Sequence, residues 1–233
     1  EKVSAMIQVP KDDEGMYICM VTRKGLIKRS SLDIYRSTRR NGIIAVTLRE
    51  DDELAWVKLT SGNDDLLVAT KKGMCIRFNE NDARPLGRTA SGVKGINVAD
   101  GQVVGVATSL EGKYILVISE YGYGKMSDMN DYRLTKRGSQ GVLTIKAGEK
   151  NGSLAKIVAV NGEEDILVVT NLGIIIRTSL KEVKVAGRNT LGVRIIRLAN
   201  EQKVSSLCVT EAVEEEAEEN TEVVSNEETT TNE

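Results

Sequence analysis

Arginine and lysine are the residues of this sequence whose spacing is regular enough for them to act together. Arg29, Arg77 and Arg177 each stand four residues after a glycine (Gly25, Gly73, Gly173), and Lys125 stands three after Gly122. Arg88, Arg137 and Arg188 each precede a second glycine by four (Gly92, Gly141, Gly192), with Arg39-Arg40 close to that phase before Gly42. Cations at a fixed point of a repeating unit draw a basic stripe, and such a stripe attracts polyanions. A single arginine of this kind could equally brace its own loop by donating to carbonyls. Repetition of the whole set favours anion binding.

Other chemistry is poorly supplied. Histidine is absent, which removes every Ser-His or Cys-His nucleophile pair and every histidine base or metal ligand. No phosphate-binding G-x-x-x-x-G-K-[ST] loop exists, because Gly124-Lys125 is followed by Met126. Asp128-Met129-Asn130-Asp131 begins like a calcium loop but lacks the glycine and the closing glutamate, so it reads as a solvated turn. Asp12-Asp13, Asp51-Asp52 and Glu163-Glu164 lie in polar connectors and read as solvated loops. Cys19, Cys75 and Cys208 form no C-x-x-C pair and read as reduced thiols. No catalytic, cofactor or metal site is expected.

The elements that must position the cations also repeat. Four segments share an apolar run, a glycine turn and a second run: Tyr17 to Arg29, Leu66 to Arg77, Ile115 to Lys125 and Ile166 to Arg177. Their glycines lie 48, 49 and 51 positions apart, and those of the second anchor (Gly42, Gly92, Gly141, Gly192) lie 50, 49 and 51 apart. β-Branched runs around a glycine that can take positive φ spell a β-hairpin. A further apolar element recurs around Val3, Leu54, Val103, Leu154 and Val204. About four short strands per unit, repeated at this period, predict an all-β, propeller-like ring of blades. The repeats are drawn at 1–52, 53–102, 103–152 and 153–210.

Charge divides the chain in two. Residues 1–210 hold 32 basic and 24 acidic side chains, whereas residues 211–233 hold ten glutamates and no Lys or Arg. That last segment has no aromatic residue and is expected to be a disordered acidic tail, able to compete with a polyanion for the basic stripe. No apolar run reaches the roughly 20 residues of a membrane span. The chain opens on Glu1-Lys2 without an apolar leader, so a cytoplasmic location and no membrane partner are expected.

Eight aromatic residues, with Trp56 the only tryptophan, cannot furnish the stacking platforms used on single strands and RNA. A periodic basic edge suits duplex phosphates, with little reading of the bases. The contacts must then be spread along an arc, because bending 20–30 base pairs costs on the order of 1–6 kcal/mol.

Several segments carry a more specific likeness. Val21-Thr22-Arg23-Lys24-Gly25-Leu26-Ile27-Lys28-Arg29, Tyr35-Arg36-Ser37-Thr38-Arg39-Arg40-Asn41-Gly42 and Leu67-Val68-Ala69-Thr70-Lys71-Lys72-Gly73 are three of them. Gly87-Arg88-Thr89-Ala90-Ser91-Gly92-Val93 and Ala186-Gly187-Arg188-Asn189-Thr190-Leu191-Gly192-Val193 are two more. Over residues 1 to about 210 the sequence resembles the C-terminal, DNA-wrapping domain of the DNA gyrase A subunit. The resemblance implies a six-bladed β-pinwheel that exchanges strands between blades and wraps duplex DNA, with about four of the six blades here. It also implies a parent type II topoisomerase that supercoils DNA negatively using ATP and Mg. The partners so implied are double-stranded DNA, the gyrase B subunit, plus a second gyrase A subunit.

The family's full gyrase box is absent: Thr38-Arg39-Arg40-Asn41-Gly42-Ile43-Ile44 keeps only the arginine pair and one glycine. No tyrosine has the Arg-Tyr-Thr setting of the strand-cleaving nucleophile, so this segment is expected to be catalytically silent. The related C-terminal domain of topoisomerase IV is one alternative, and a propeller-type protein-interaction scaffold is another. The expected DNA contacts, on one outer edge, are Lys28, Arg29, Arg39, Arg40, Arg88, Lys94, Lys136, Arg137, Arg188 and Arg194.

Overall fold

The computed structural model describes residues 3–36, 41–199 and 201–213. Arg39, Arg40 and residues 214–233 of the acidic segment lie outside them. The described chain is all-β, with helix limited to four 3-10 turns of three or four residues.

Each repeat contributes one tight hairpin: β1 (Tyr17–Thr22) with β2 (Leu26–Ser31), β4 (Asp65–Thr70) with β5 (Met74–Asn79), β8 (Tyr114–Ser119) with β9 (Tyr123–Asp128), and β12 (Asp165–Thr170) with β13 (Ile175–Ser179). The turns are alike for a local reason. The amide of each turn glycine donates to the residue three before it, as Gly25 N to Thr22 O (3.0 Å) and Gly73 N to Thr70 O (2.9 Å). The glycines then leave that turn at φ of 78° to 84°, the left-handed region where a β-carbon is penalised.

The apolar strand pairs with the hairpin that precedes it in sequence. These strands are β3 (Leu54–Thr60), β7 (Val103–Thr108), β11 (Leu154–Val160) and β15 (Val204–Thr210), and they pack on one another in chain order. On the far side of the hairpin sits a strand of two residues taken from the next repeat: β6 (Val93–Lys94), β10 (Val142–Leu143) or β14 (Val193–Arg194). The strand orders are β3-β1-β2-β6, β7-β4-β5-β10, β11-β8-β9-β14 and β15-β12-β13. The blades thus form a propeller-like ring whose outer strands are exchanged between neighbours. The first three sheets straddle the repeat boundaries drawn from sequence, and the fourth lies within 153–210. Val3 forms no strand and is exposed, unlike the apolar strands, each of which pairs with the hairpin before it.

The core lies between blades. Cys19, Val21 and Ile27 of the first blade meet Leu66, Val68, Ile76 and Phe78 of the second. Leu67, Ala69 and Cys75 meet Ile115, Val117 and Ile157, and Leu116 and Ile118 meet Ile166 and Val168. Sheets covered on both faces require apolar side chains at consecutive positions, which is why the strands read Leu-Leu-Val-Ala and Ile-Leu-Val-Ile rather than alternating. Trp56 packs against the core of the first two blades.

Candidate nucleic-acid interface

The segments leading into the outer strands form one strip. They are bonded edge to edge around the blades: Thr47 N donates to Ala90 O (3.4 Å), Asn97 N to Ser139 O (2.9 Å), Gly138 N to Gly95 O (2.6 Å) and Lys146 N to Thr190 O (3.4 Å). Glycine is required where each segment enters its blade. A β-carbon at Gly92 would lie 2.5 Å from Ile27 O, at Gly141 2.2 Å from Cys75 O, and at Gly192 2.5 Å from Gly124 O. All three also have positive φ.

Arginines fasten consecutive segments together. Arg137 Nε donates to Asp82 O (2.9 Å) and its Nη1 to Lys94 O (2.9 Å). One blade on, Arg188 Nε donates to Asp131 O (3.0 Å) and its Nη1 to Leu143 O (2.7 Å). Each guanidinium spends two donors on carbonyls, as the bracing reading expects, and is half-buried with no carboxylate partner among the described residues.

Charge is concentrated on the strip. Its described residues (36, 41–49, 83–98, 132–146 and 183–198) hold thirteen Lys and Arg side chains and no Asp or Glu. The remainder of residues 1–210 is net acidic, so the strip supplies the whole positive balance of the body. Of the expected contacts, Arg88, Lys94, Lys136, Arg137, Arg188 and Arg194 lie on it. Lys94, Lys136 and Arg194 are exposed, and Arg88 is half-buried. Lys136 pairs with Asp82 at 2.7 Å, but its side chain is 89% exposed, so that pair is weak and exchangeable. Arg194 Nη2 donates to the Tyr123 hydroxyl (2.9 Å).

Two expected contacts are not at the edge. Lys28 and Arg29 are buried, at 1% and 3% exposure. Arg29 lies 2.7 Å from Glu80, itself fully buried, and stacks 3.7 Å from the centre of the Tyr17 ring. Its Nη1 donates to Asn81 Oδ1 (2.9 Å). Lys28 donates to the carbonyls of Ala45 and Arg88. The other arginines of this phase are also paired, Arg77 with Asp65 and Arg177 with Asp165, both at 2.7 Å, although Arg177 is exposed. The hydrogen bond from Arg177 holds the Asp165 carboxyl below its usual range. The phase after the hairpin glycine is therefore structural, and the phase before the second glycine lies on the rim. Arg84, Arg133, Lys146, Lys184 and Arg197 are exposed on the strip as well; the absence of acidic residues around them is the sequence signal that picks them out.

Among the described residues no cluster of three or more His, Cys, Asp or Glu side chains is arranged to hold a metal. Asp128 instead accepts from Asn130 N (2.8 Å), capping a short turn. No described helix is long and apolar enough to cross a membrane.

An all-β ring of strand-exchanging blades with a basic outer strip defines a pinwheel-type propeller domain. The family described as "DNA gyrase C-terminal domain, beta-propeller" matches residues 17–61, 64–109, 113–161 and 164–210, each match running from a hairpin through the following apolar strand. This chain belongs to that family. It is 46% identical over 210 residues to the DNA gyrase A subunit of Ureaplasma parvum serovar 3, covering 90% of this chain and 25% of the relative. It is 45% identical over 225 residues to the DNA gyrase A subunit of Staphylococcus aureus (strain NCTC 8325 / PS 47), covering 95% and 25%. The chain thus spans about a quarter of the length of these curated relatives. A solved DNA gyrase A C-terminal domain superposes with a TM-score of 0.76 at 27% identity, covering 86% of this chain and 68% of that one. The C-terminal domain of DNA topoisomerase IV has the same fold, with a TM-score of 0.79 at 23% identity and coverages of 87% and 64%.

Proposed function

We propose that the outer strip binds duplex DNA through its phosphates and bends it around the blades, without selecting a sequence. The acid-free strip, with thirteen cations among its described residues, carries this reading. Its positive side chains repeat at each blade, so a duplex laid along it meets a phosphate-binding group at every step and is held in a curve by contacts none of which reads a base. Arg137 and Arg188 keep the strip rigid while leaving their charge at the surface, so little ordering entropy is lost on binding.

By its family the domain would serve the A subunit of a DNA gyrase, working with the gyrase B subunit in a cytoplasmic enzyme that holds a second copy of the A protein and supercoils DNA negatively. ATP and Mg would be used elsewhere in that complex. The identity to gyrase relatives over nine-tenths of the chain favours gyrase over topoisomerase IV.

The test is a duplex titration at several salt concentrations. Phosphate contact requires the logarithm of affinity to fall linearly with the logarithm of salt, at a slope of about −0.9 per phosphate neutralised. Equal affinity for unrelated sequences is expected. No binding at low salt would leave the protein-interaction reading in its place.

A further inference from the structure

Two lysines are sealed beneath the strip. Lys28 on β2 and Lys125 on β9 are each 1% exposed, and both occupy the same register of their hairpins, opposite Met20 and Val117. Among the described residues neither ammonium is paired with a carboxylate. Lys28 donates to the carbonyls of Arg88 and Ala45 and lies 3.4 Å from the Tyr35 hydroxyl. Lys125 donates to Gly187 O (2.5 Å), Thr190 O (3.1 Å) and Thr190 Oγ1 (3.0 Å), and to the carbonyl of Arg188. Each therefore reaches 60 residues or more along the chain to the anchor loop of its own blade's outer strand, and grips the backbone of the rim arginine there.

The other two hairpins carry Ile76 and Ile176 at this register, opposite Val68 and Val168. The fold therefore accepts an apolar side chain at the position. A buried ammonium held by carbonyls and a hydroxyl, with no carboxylate among the described residues, is costly to desolvate, and packing alone gives no reason to keep one where isoleucine serves.

We propose that Lys28 and Lys125 are positioning residues for DNA binding, fixing the loops at Arg88 and Arg188 in the shape that meets the phosphates. This rests on the duplex-binding reading. Burial, with the like charge of Arg88 or Arg188 adding to it, lowers both lysines to about 8. The groups facing Lys28 are the Tyr35 hydroxyl and Arg88; those facing Lys125 are Arg188 and, in the opposite sense, Asp131. A buried lysine so lowered binds its proton less tightly than a released, solvated one, so between about pH 8 and 10 rising pH favours the gripped state over the released one. Ordinary lysines stay charged until about 10.4.

The test replaces each lysine by the residue its sister blades use, Lys28→Ile and Lys125→Ile, singly and together, in the full chain. Circular dichroism and thermal melting confirm folding. Duplex affinity should fall about fivefold per substitution and the salt slope by about one. The amides of 87–90 should lose exchange protection in Lys28→Ile, and those of 187–190 in Lys125→Ile. In the unmodified protein the protection of the amides of 87–90 and 187–190 should rise between about pH 8 and 10, and in the double variant it should not. Unchanged affinity and exchange in folded variants would overturn the proposal, as would a pH dependence that survives in the double variant. If a variant fails to fold, a flat pH profile in the unmodified chain overturns it equally. Should the unmodified chain bind no duplex at all, the DNA reading fails separately, and amide exchange alone still decides whether the lysines hold the loops.

Discussion

The Nη1 of Arg137 donates to the carbonyl of Lys94 at 2.9 Å, so a side chain of one anchor loop closes on the outer strand of the loop before it. Its Nε reaches Asp82 O at the same distance, and the fork is filled by two carbonyls from one neighbouring repeat. Arg188 repeats the arrangement one blade further on.

Arg137→Lys should therefore behave unlike a conservative change. Lysine keeps the charge but cannot span two carbonyls in a fixed plane. Duplex affinity is expected to fall for all sequences alike, with the salt slope little altered in Arg137→Lys and reduced by about one in Arg137→Ala. Titrations of both variants at three salt concentrations check this.

Glycines of the same motif should differ sharply in tolerance. Gly141→Ala drives a β-carbon to 2.2 Å from the Cys75 carbonyl, where backbone must move. Gly42 also has positive φ, at 71°, but no described residue lies within 4 Å of the added atom. Its alanine variant should lose only about 1–2 kcal/mol to backbone strain, and Gly141→Ala clearly more. Urea unfolding of the two variants makes the comparison.

The buried pair Arg29–Glu80 locks the first blade to the second. Glu80 also accepts from Thr60 Oγ1 (2.7 Å), Gly62 N (2.9 Å) and Asp64 N (2.8 Å). Glu80→Ala leaves the guanidinium uncompensated and should cost about 3–5 kcal/mol, whereas replacing both partners by leucine should cost less. Melting temperatures of the single and double variants decide it.

Alkaline pH should act through the buried thiols. Burial, offset only in part by the Thr60 hydrogen bond, pushes Cys19 up to about 12, and burial moves Cys75 in the same direction. An unfolded thiol titrates near 8.5. Stability from these groups is thus complete below about 8.5 and drains as the thiols of the unfolded chain ionise; the sign is that of a group that binds more protons folded than unfolded. The loss runs at about 1.4 kcal/mol per pH unit for each thiol until the folded value is reached. Lys28 and Lys125, lowered by burial, act in the opposite sense over part of this range, so the readout is a difference. Between about pH 8 and 10 the parent chain should lose stability relative to a Cys19→Ala variant. Parallel curves would contradict the assignment.

Much of this fold is legible in the sequence, because its signals are local. Hairpin glycines announce themselves through a turn that closes over three residues, and the second glycines through their constant offset from an arginine. What is not legible is long-range. β6, β10 and β14 are two residues long and pair with hairpins 66 to 71 positions earlier, so no periodicity marks them as strands. Arg29 and Lys28 share a phase with other cations, and phase alone puts them on the rim. Their partners, Glu80 and the Arg88 carbonyl, lie 51 and 60 positions away. Arg77 and Arg177 do carry a readable hint, an aspartate twelve residues before each.

Duplex binding along the anchor-loop strip is most directly tested by mapping the bound surface residue by residue. Backbone amide shifts of the full chain should be recorded with and without a duplex of about 25 base pairs at low salt. Perturbations are predicted to concentrate in residues 83–98, 132–146 and 183–198, equal for two unrelated sequences and lost together as salt is raised. Perturbations centred instead on the hairpin turns at Arg23–Gly25, Lys71–Gly73 and Glu120–Gly122, with the strip unmoved, would contradict duplex binding there.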